Sequence, residues 1–289
     1  MTEPAVATPV PATTSAASTP GGWLAFGGIT VLVAALTILR RALGQDGGDV
    51  ALSIAYSALP LLTLAGITGG ASVGHWIFCR YRRTVLSVAA GAVTGALASA
   101  AVLLVRGMPG SAVAVVAAVL AVAGALGGAM TAIRPIEIIR GGCAATLAAL
   151  FTFILVAFNS SWLLEVFGAD GTDAGVKAAN GLLAGAQALT VGLVGGLIAF
   201  FVMRRSEATL RWPAYLIAGG MPGLLWIVAD LFTRVGTARL LTLASSDTAG
   251  DQIIQSGLGV SRINTGLVLF FVGALTAMIA FGRTLPRKA

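Results

Sequence analysis

The chain has 289 residues, 57% of them hydrophobic and only 10% charged, and a net charge of +7. Soluble domains carry about 25% charged residues, so this composition excludes a water-soluble fold. It also excludes a basic nucleic-acid-binding face: the 18 cations, all Arg except Lys177 and Lys288, fall in short clusters between long apolar runs.

Residues 1–20 are mostly Pro, Ala, Thr and Ser, with Glu3 as the one charge. They have little to bury and read as a disordered cytoplasmic tail. A secretory leader places Lys or Arg ahead of its apolar core. None precedes the first apolar run here, so that run is expected to be retained as a helix. Apolar segments then lie near 23–39, 51–79, 84–105, 111–133, 141–159, 181–203, 212–233 and 263–282. At 1.5 Å per residue, about 20 residues cross some 30 Å of hydrocarbon, and most of these segments have that length. They are continuously apolar rather than alternating, which favours helices over barrel strands. The expected fold is all-α: a polytopic bundle of about eight transmembrane helices over 21–283, followed by a short basic tail at 284–289. The second segment is longer than the rest and holds Pro60, where a kink is expected.

Cations set the orientation. With the N-terminus cytoplasmic, the inner loops hold eleven: Arg80, Arg82, Arg83, Arg134, Arg140, Arg204, Arg205, Arg211, Arg283, Arg287 and Lys288. The outer loops hold seven: Arg40, Arg41, Arg106, Lys177, Arg234, Arg239 and Arg262. Both termini are therefore expected inside a cell membrane. Arg40 and Arg41 object, because they directly follow the first span and no cation precedes it.

Glycine recurs in a pattern. Gly66-Ile-Thr-Gly69-Gly70, Gly124-Ala-Leu-Gly127-Gly128 and Gly192-Leu-Val-Gly195-Gly196 all read G-x-x-G-G and lie in the second, fourth and sixth spans. A looser echo, Gly273-Ala274, lies in the last span, and a further match, Gly44-Gln-Asp-Gly47-Gly48, falls in a loop. Equivalent placement on three spans suggests a repeat of helical hairpins. Small residues four apart let helix backbones approach closely. Gly70, Gly128 and Gly196 are therefore candidate packing positions, and Gly91 with Gly95, Gly181 with Gly185, and Gly219 with Gly223 extend the set. The glycines suit a tight bundle core; they would equally suit a path lined by bare backbone.

Polar residues in these spans need an account. Asp230 stands late in the seventh span with Arg234 four residues on, a spacing that allows an ion pair on one helix face. Interfacial hydration of that pair is the plainer alternative. Gln187 lies within the sixth span and Asn180 just before it; an amide there usually bonds a neighbouring helix. Thr63, Thr68, Ser72, Thr94, Ser99, Thr190 and Thr276 are expected to bond their own backbones. His75, the single histidine, has Cys79 four residues later. Two ligands are too few for zinc, and a satisfied interfacial histidine is the expectation. Ser72 sits in a G-x-S-x-G string, but a nucleophile elbow needs a strand-to-helix turn, which an apolar helix cannot supply. Cys79 and Cys143 are expected to be reduced packing residues.

The segment 133–140 reads as an ordinary connection or a surface-lying helix, with Glu137 placed to pair with Arg134 or Arg140. Two long outer loops, 160–180 and 234–262, remain; the second has the leucines for a short flat helix. Clustered metal-binding carboxylates, a phosphate loop and a dinucleotide fingerprint are not found in the sequence. Neither a catalytic constellation nor a cofactor site is therefore expected, and the lipid bilayer is the expected partner. Three functional classes stay open: a permease or channel-like protein for a small or lipid-like solute, a non-catalytic scaffold or subunit of a larger membrane complex, and an intramembrane enzyme.

Overall fold

The computed structural model describes residues 21–43, 49–103, 110–168, 172–206, 210–244 and 249–284, and among these every regular element is a helix. The elements are α1 (Gly22–Leu43), α2 (Asp49–Tyr81), α3 (Thr84–Leu103), α4 (Gly110–Met130), α5 (Ile136–Phe158), α6 (Ser160–Val166), α7 (Asp173–Arg204), α8 (Trp212–Ala244) and α9 (Ala249–Gly282). All but the short α6 contain a stretch long and apolar enough to cross a bilayer, eight in all among the described residues. The protein is a multi-spanning membrane protein. The first segment qualifies as a span, and the expected tail at 1–20, the Gly44–Gly48 match and residues 285–289 lie outside the described residues.

Local chemistry sets the boundaries. α2 ends where Arg82 takes a left-handed φ of 55° and the chain turns straight into α3. Thr172 caps α7: its Oγ1 accepts from the Gly175 amide at 3.1 Å. α7 therefore starts eight residues before the apolar run expected at 181. The segment 133–140 is corrected as well. Pro135 cannot continue a preceding helix but suits the entry to a new one, Glu137 stands in the first turn, and Ile138 and Ile139 are buried. α5 thus begins at Ile136, and Arg140 belongs to a helix rather than to a connection. Among its described residues, the outer loop 234–262 holds no helix separate from α8 and α9. α8 runs on to Ala244 and α9 begins at Ala249, so both continue past their spans.

The bundle is built from two helix quartets with similar pairings, except that α5 also packs on α8 whereas α1 barely touches α3. In the first, α2 packs on α1, α3 and α4, and α3 packs on α4. In the second, α7 packs on α5, α8 and α9, and α8 packs on α9. The glycines follow the same scheme. Gly70 of α2 meets Gly124 of α4, and Gly91 of α3 meets Gly128 of α4. Correspondingly, Gly196 of α7 and Gly219 of α8 both meet Gly273 of α9. The pair Gly66 and Gly70 recurs 126 residues on as Gly192 and Gly196, and the pair Gly91 and Gly95 recurs 128 residues on as Gly219 and Gly223. These spacings and the pairings suit a quartet-sized repeat; the α2 and α4 motifs, which a hairpin repeat would make equivalent, face each other inside one quartet.

Lipid chains are as apolar as the helices, so close packing rather than exclusion of water holds such a bundle together. Gly70 shows how close: a Cβ there would fall on the Gly124 carbonyl, leaving room for hydrogen alone. Hydroxyls reinforce the first quartet. Ser87 on α3 donates to the Gly74 carbonyl of α2 at 2.6 Å and lies 2.6 Å from Thr131 Oγ1 beyond α4. The quartets meet where α2 touches α5 and α8, α4 touches α8, and α1 touches α5. An apolar core fills this junction, with Leu24, Ile67, Ala71, Ala144, Leu147 and Met221 among its members.

Candidate functional site

Among the described residues, buried side chains with polar groups are few, and almost all are satisfied. Thr63, Thr68, Thr146 and Thr233 bond the carbonyl four residues back on their own helices. Thr94, Thr190 and Thr276 do the same, as expected. Ser99 bonds Gly95 and also crosses to the Ala117 carbonyl of α4 at 2.5 Å. Ser72 departs from that expectation: it is fully buried and its Oγ has no partner. His75 Nδ1 is also buried without a partner, and so is Nε of Arg140. The expected satisfied histidine is satisfied on one side only: His75 is 2% exposed, its Nε2 has the Cys79 sulfur as partner, and its Nδ1 has none.

These three atoms belong to one region. Ser72, His75 and Cys79 follow each other at three and four residues along α2, which puts them on one helix face. Arg140 and Cys143 stand three apart on α5 and share a face in the same way. The two faces oppose each other: Ser72 lies beside the Cys143 thiol, and Arg140 lies within electrostatic reach of His75 and Cys79. Arg82 and Glu137 are the other charges that act on Cys79. The Cys79 sulfur is 3.5 Å from His75 Nε2. α1 closes the third side with glycines: a Cβ on Gly21 would press on the His75 ring at 3.1 Å, and one on Gly28 would come within 2.9 Å of Ser72 Cβ. The site therefore lies at the junction of the quartets, between α1 and α2 of the first and α5 of the second. It sits toward the end of the bundle that carries Arg80, Arg82, Arg83 and Arg134, the last stacked 4.3 Å above the Phe78 ring.

The arrangement offers one permanent cation and two further hydrogen-bonding groups; Ser72 has the Cys143 thiol beside it, and His75 Nδ1 and Arg140 Nε have no protein partner. It is not a nucleophile elbow, because Ser72 lies in mid-helix, and among the described residues no three His, Cys, Asp or Glu side chains are placed to share a metal ion. Both cysteines are free thiols, but only Cys143 is a buried packing residue; Cys79 is exposed.

The positions singled out from sequence are distributed elsewhere. Asp230 is buried, and Arg234 Nε donates to its Oδ2 at 2.8 Å, the expected pair on one face of α8. Nearby, Trp226 stacks on Phe153 of α5 with centroids 4.9 Å apart and donates to the Arg262 carbonyl. Gln187 is half-buried on α7. Asn180 is exposed and bonds only its own helix, at Val176. Gly70, Gly128 and Gly196 are packing contacts between helices. Gly181 and Gly185 are not: a Cβ on either would meet open space. Arg140 escaped the sequence reading because it was counted as a loop cation; the Pro135–Glu137 helix start was the available signal. No family model matches the chain, and neither a curated protein nor a solved structure proved similar to it.

Proposed function

We propose that the chain is a permease of the cell membrane, with both termini cytoplasmic, whose two quartets move against each other around the Ser72–His75–Arg140 site. The observation that supports this reading is the coincidence of two features. Three buried polar atoms that bond no backbone group, Ser72 Oγ, His75 Nδ1 and Arg140 Nε, lie where two similarly paired quartets meet, and interfaces between repeats are where transporters bind their cargo. A merely structural core would not leave such groups unsatisfied, since each costs about 1–3 kcal/mol when buried alone. A solute that enters between α1, α2 and α5 satisfies them, and relative motion of the quartets exposes it to one side and then the other.

The test uses vesicles reconstituted with the purified protein. Radiolabelled amino acids, sugars and inorganic phosphate probe flux of small solutes, and a fluorescent phospholipid quenched by dithionite probes flux of lipid. In parallel, N-ethylmaleimide reports on Cys143, which is 2% exposed in this conformation and becomes reactive once the quartets part. Flux above that of empty vesicles, with slow labelling of Cys143, is the expected result. Rates equal to empty vesicles for every probe, with Cys143 still unlabelled, would sink the proposal.

A second reading has its own support. The face of α7 that carries Gly181 and Gly185 meets open space, and Leu182 and Leu189 are exposed on this half of the helix. A subunit that docks another membrane helix would carry such a face. Co-purification of a stoichiometric partner in mild detergent, lost on Gly181→Leu with flux unchanged, would favour it.

A further inference from the structure

The polar site at the α1–α2–α5 junction is chemically one-sided, and from this we infer that its ligand is an oxyanion, a carboxylate or a phosphate. The inference rests on reading the site as one that takes a ligand. Among the described residues with buried hydroxyls, Ser72 alone bonds no backbone carbonyl; the group beside it is the Cys143 thiol. Sulfur is a weak acceptor, so a ligand oxygen would compete well with Cys143 for the Ser72 O–H. His75 offers Nδ1, because the Cys79 thiol occupies the Nε2 side at 3.5 Å. A neutral imidazole that accepts the thiol hydrogen at Nε2 carries its own hydrogen at Nδ1 and donates there. Arg140 Nε is a donor under any condition and is buried without a partner. With the Cys79 thiol donating to Nε2, three donors, one of them cationic, thus belong to this site, and none of them bonds an oxygen acceptor.

The charges around the site agree. Arg140 and Arg82 supply positive potential, against which stands Glu137 alone. Glu137 and Arg140 form no ion pair with each other, so Glu137 does not neutralise Arg140 by direct contact. An oxyanion presents several lone pairs to such donors, and charge-assisted bonds to it are about twice as strong as neutral ones. A cation would meet repulsion from Arg140, and a neutral apolar solute would leave all three donors unsatisfied. The same chemistry occurs on a free solute and on an anionic lipid headgroup, and glycine at positions 21 and 28 keeps the approach from α1 narrow in either case.

Thermal unfolding of the full chain in a maltoside detergent, buffered with Tris chloride, tests the assignment. Sodium acetate and sodium phosphate probe free oxyanions. Dioctanoyl phosphatidic acid probes a headgroup, with dioctanoyl phosphatidylcholine as its control. A ligand that binds the folded state raises the unfolding temperature in a saturable way. The expected result is saturable stabilisation by at least one anion, weakened about tenfold by Ser72→Ala and by Arg140→Gln. Ser72→Ala removes a buried hydroxyl whose neighbour is only a weakly accepting thiol, so on its own it is expected to change the unfolding temperature of the apo protein little, which separates ligand loss from misfolding. His75→Asn keeps an amide near the Nδ1 position and is expected to retain binding; His75→Gln moves it to the Nε2 position and is expected to lose it. Absence of saturable stabilisation by every anion overturns the assignment, as does stabilisation that Ser72→Ala and Arg140→Gln leave untouched. Anion binding without flux in vesicles would overturn the permease reading and leave this assignment standing.

Discussion

Gly70 on α2 and Gly124 on α4 meet backbone against backbone, and Gly196 on α7 meets Gly273 on α9 in the same manner. In both cases the atom in the way of a side chain is a main-chain carbonyl, which cannot rotate aside as a side chain can. Gly70→Ala and Gly273→Ala are therefore each expected to destabilise the bundle by about 1–3 kcal/mol, the usual cost of overpacking. Gly181→Ala, on the open face of α7, is expected to be neutral or to gain up to about 1 kcal/mol from helix propensity. Unfolding in detergent across the three variants checks this. A Gly70→Ala protein that unfolds like the parent would show that the helices are further apart than described.

Hydroxyls that cross between helices should matter more than those that fold back on their own. Ser87 reaches Gly74 and Thr131 on other segments, whereas Thr63 and Thr146 bond only their own helices. Interhelical hydrogen bonds in membranes average about 0.6 kcal/mol and reach about 1.7 kcal/mol. Ser87→Ala is expected in the upper part of that range, because two contacts are lost together. Thr63→Val and Thr146→Val should fall near zero. Equal losses in the three variants would mean that the Ser87 contacts carry no interhelical energy.

The Asp230–Arg234 pair joins a buried carboxylate to a guanidinium that is 46% exposed. Exposed pairs are worth about 0.2–1 kcal/mol, and breaking a buried pair costs about 3–5 kcal/mol. Arg234→Ala is expected to fall between these, at about 1–3 kcal/mol, because the carboxylate it strands lies inside the protein. Asp230→Asn in that background should restore most of the loss. A double-mutant cycle measures the coupling, and additive effects would place Asp230 in a hydrated setting after all.

Much of the architecture was legible because bilayer thickness dictates helix length. The apolar runs near 84–105, 212–233 and 263–282 all lie on spans seen in the structure. The ends were less legible. The Thr172 cap and the Pro135–Glu137 entry extend α7 and α5 into sequence too polar to count as apolar, and the second extension is what carries Arg140 to the site. The glycine strings announced close packing, but spacing alone could not tell which strings face each other and which repeat. That needed the pairing of α2 with α4 and of α7 with α9. The Ser72–His75–Cys79 series was visible along one helix face. Its meaning was not, because the groups opposite it come from residues 140 and 143, two spans away.

The two cysteines supply a test of orientation that needs no engineered label. Cys79 is exposed in the last turn of α2, beside Arg80, whereas Cys143 is buried in α5. If the end rich in Arg80, Arg82, Arg83 and Arg134 faces the cytoplasm, as cation bias directs, a membrane-impermeant maleimide added to intact cells should leave Cys79 unmodified. The same reagent added to inverted vesicles should modify it rapidly, and Cys79→Ser should abolish that signal without exposing Cys143. The outcome also resolves the conflict raised by Arg40 and Arg41, which follow the first span on the opposite side. α1 qualifies as a span and packs along α2, so its direction is tied to that of the bundle, and the larger set of cations at the other end should outweigh these two. Labelling of Cys79 from outside intact cells would invert the whole arrangement and place residues 140 and 143 nearest the external face.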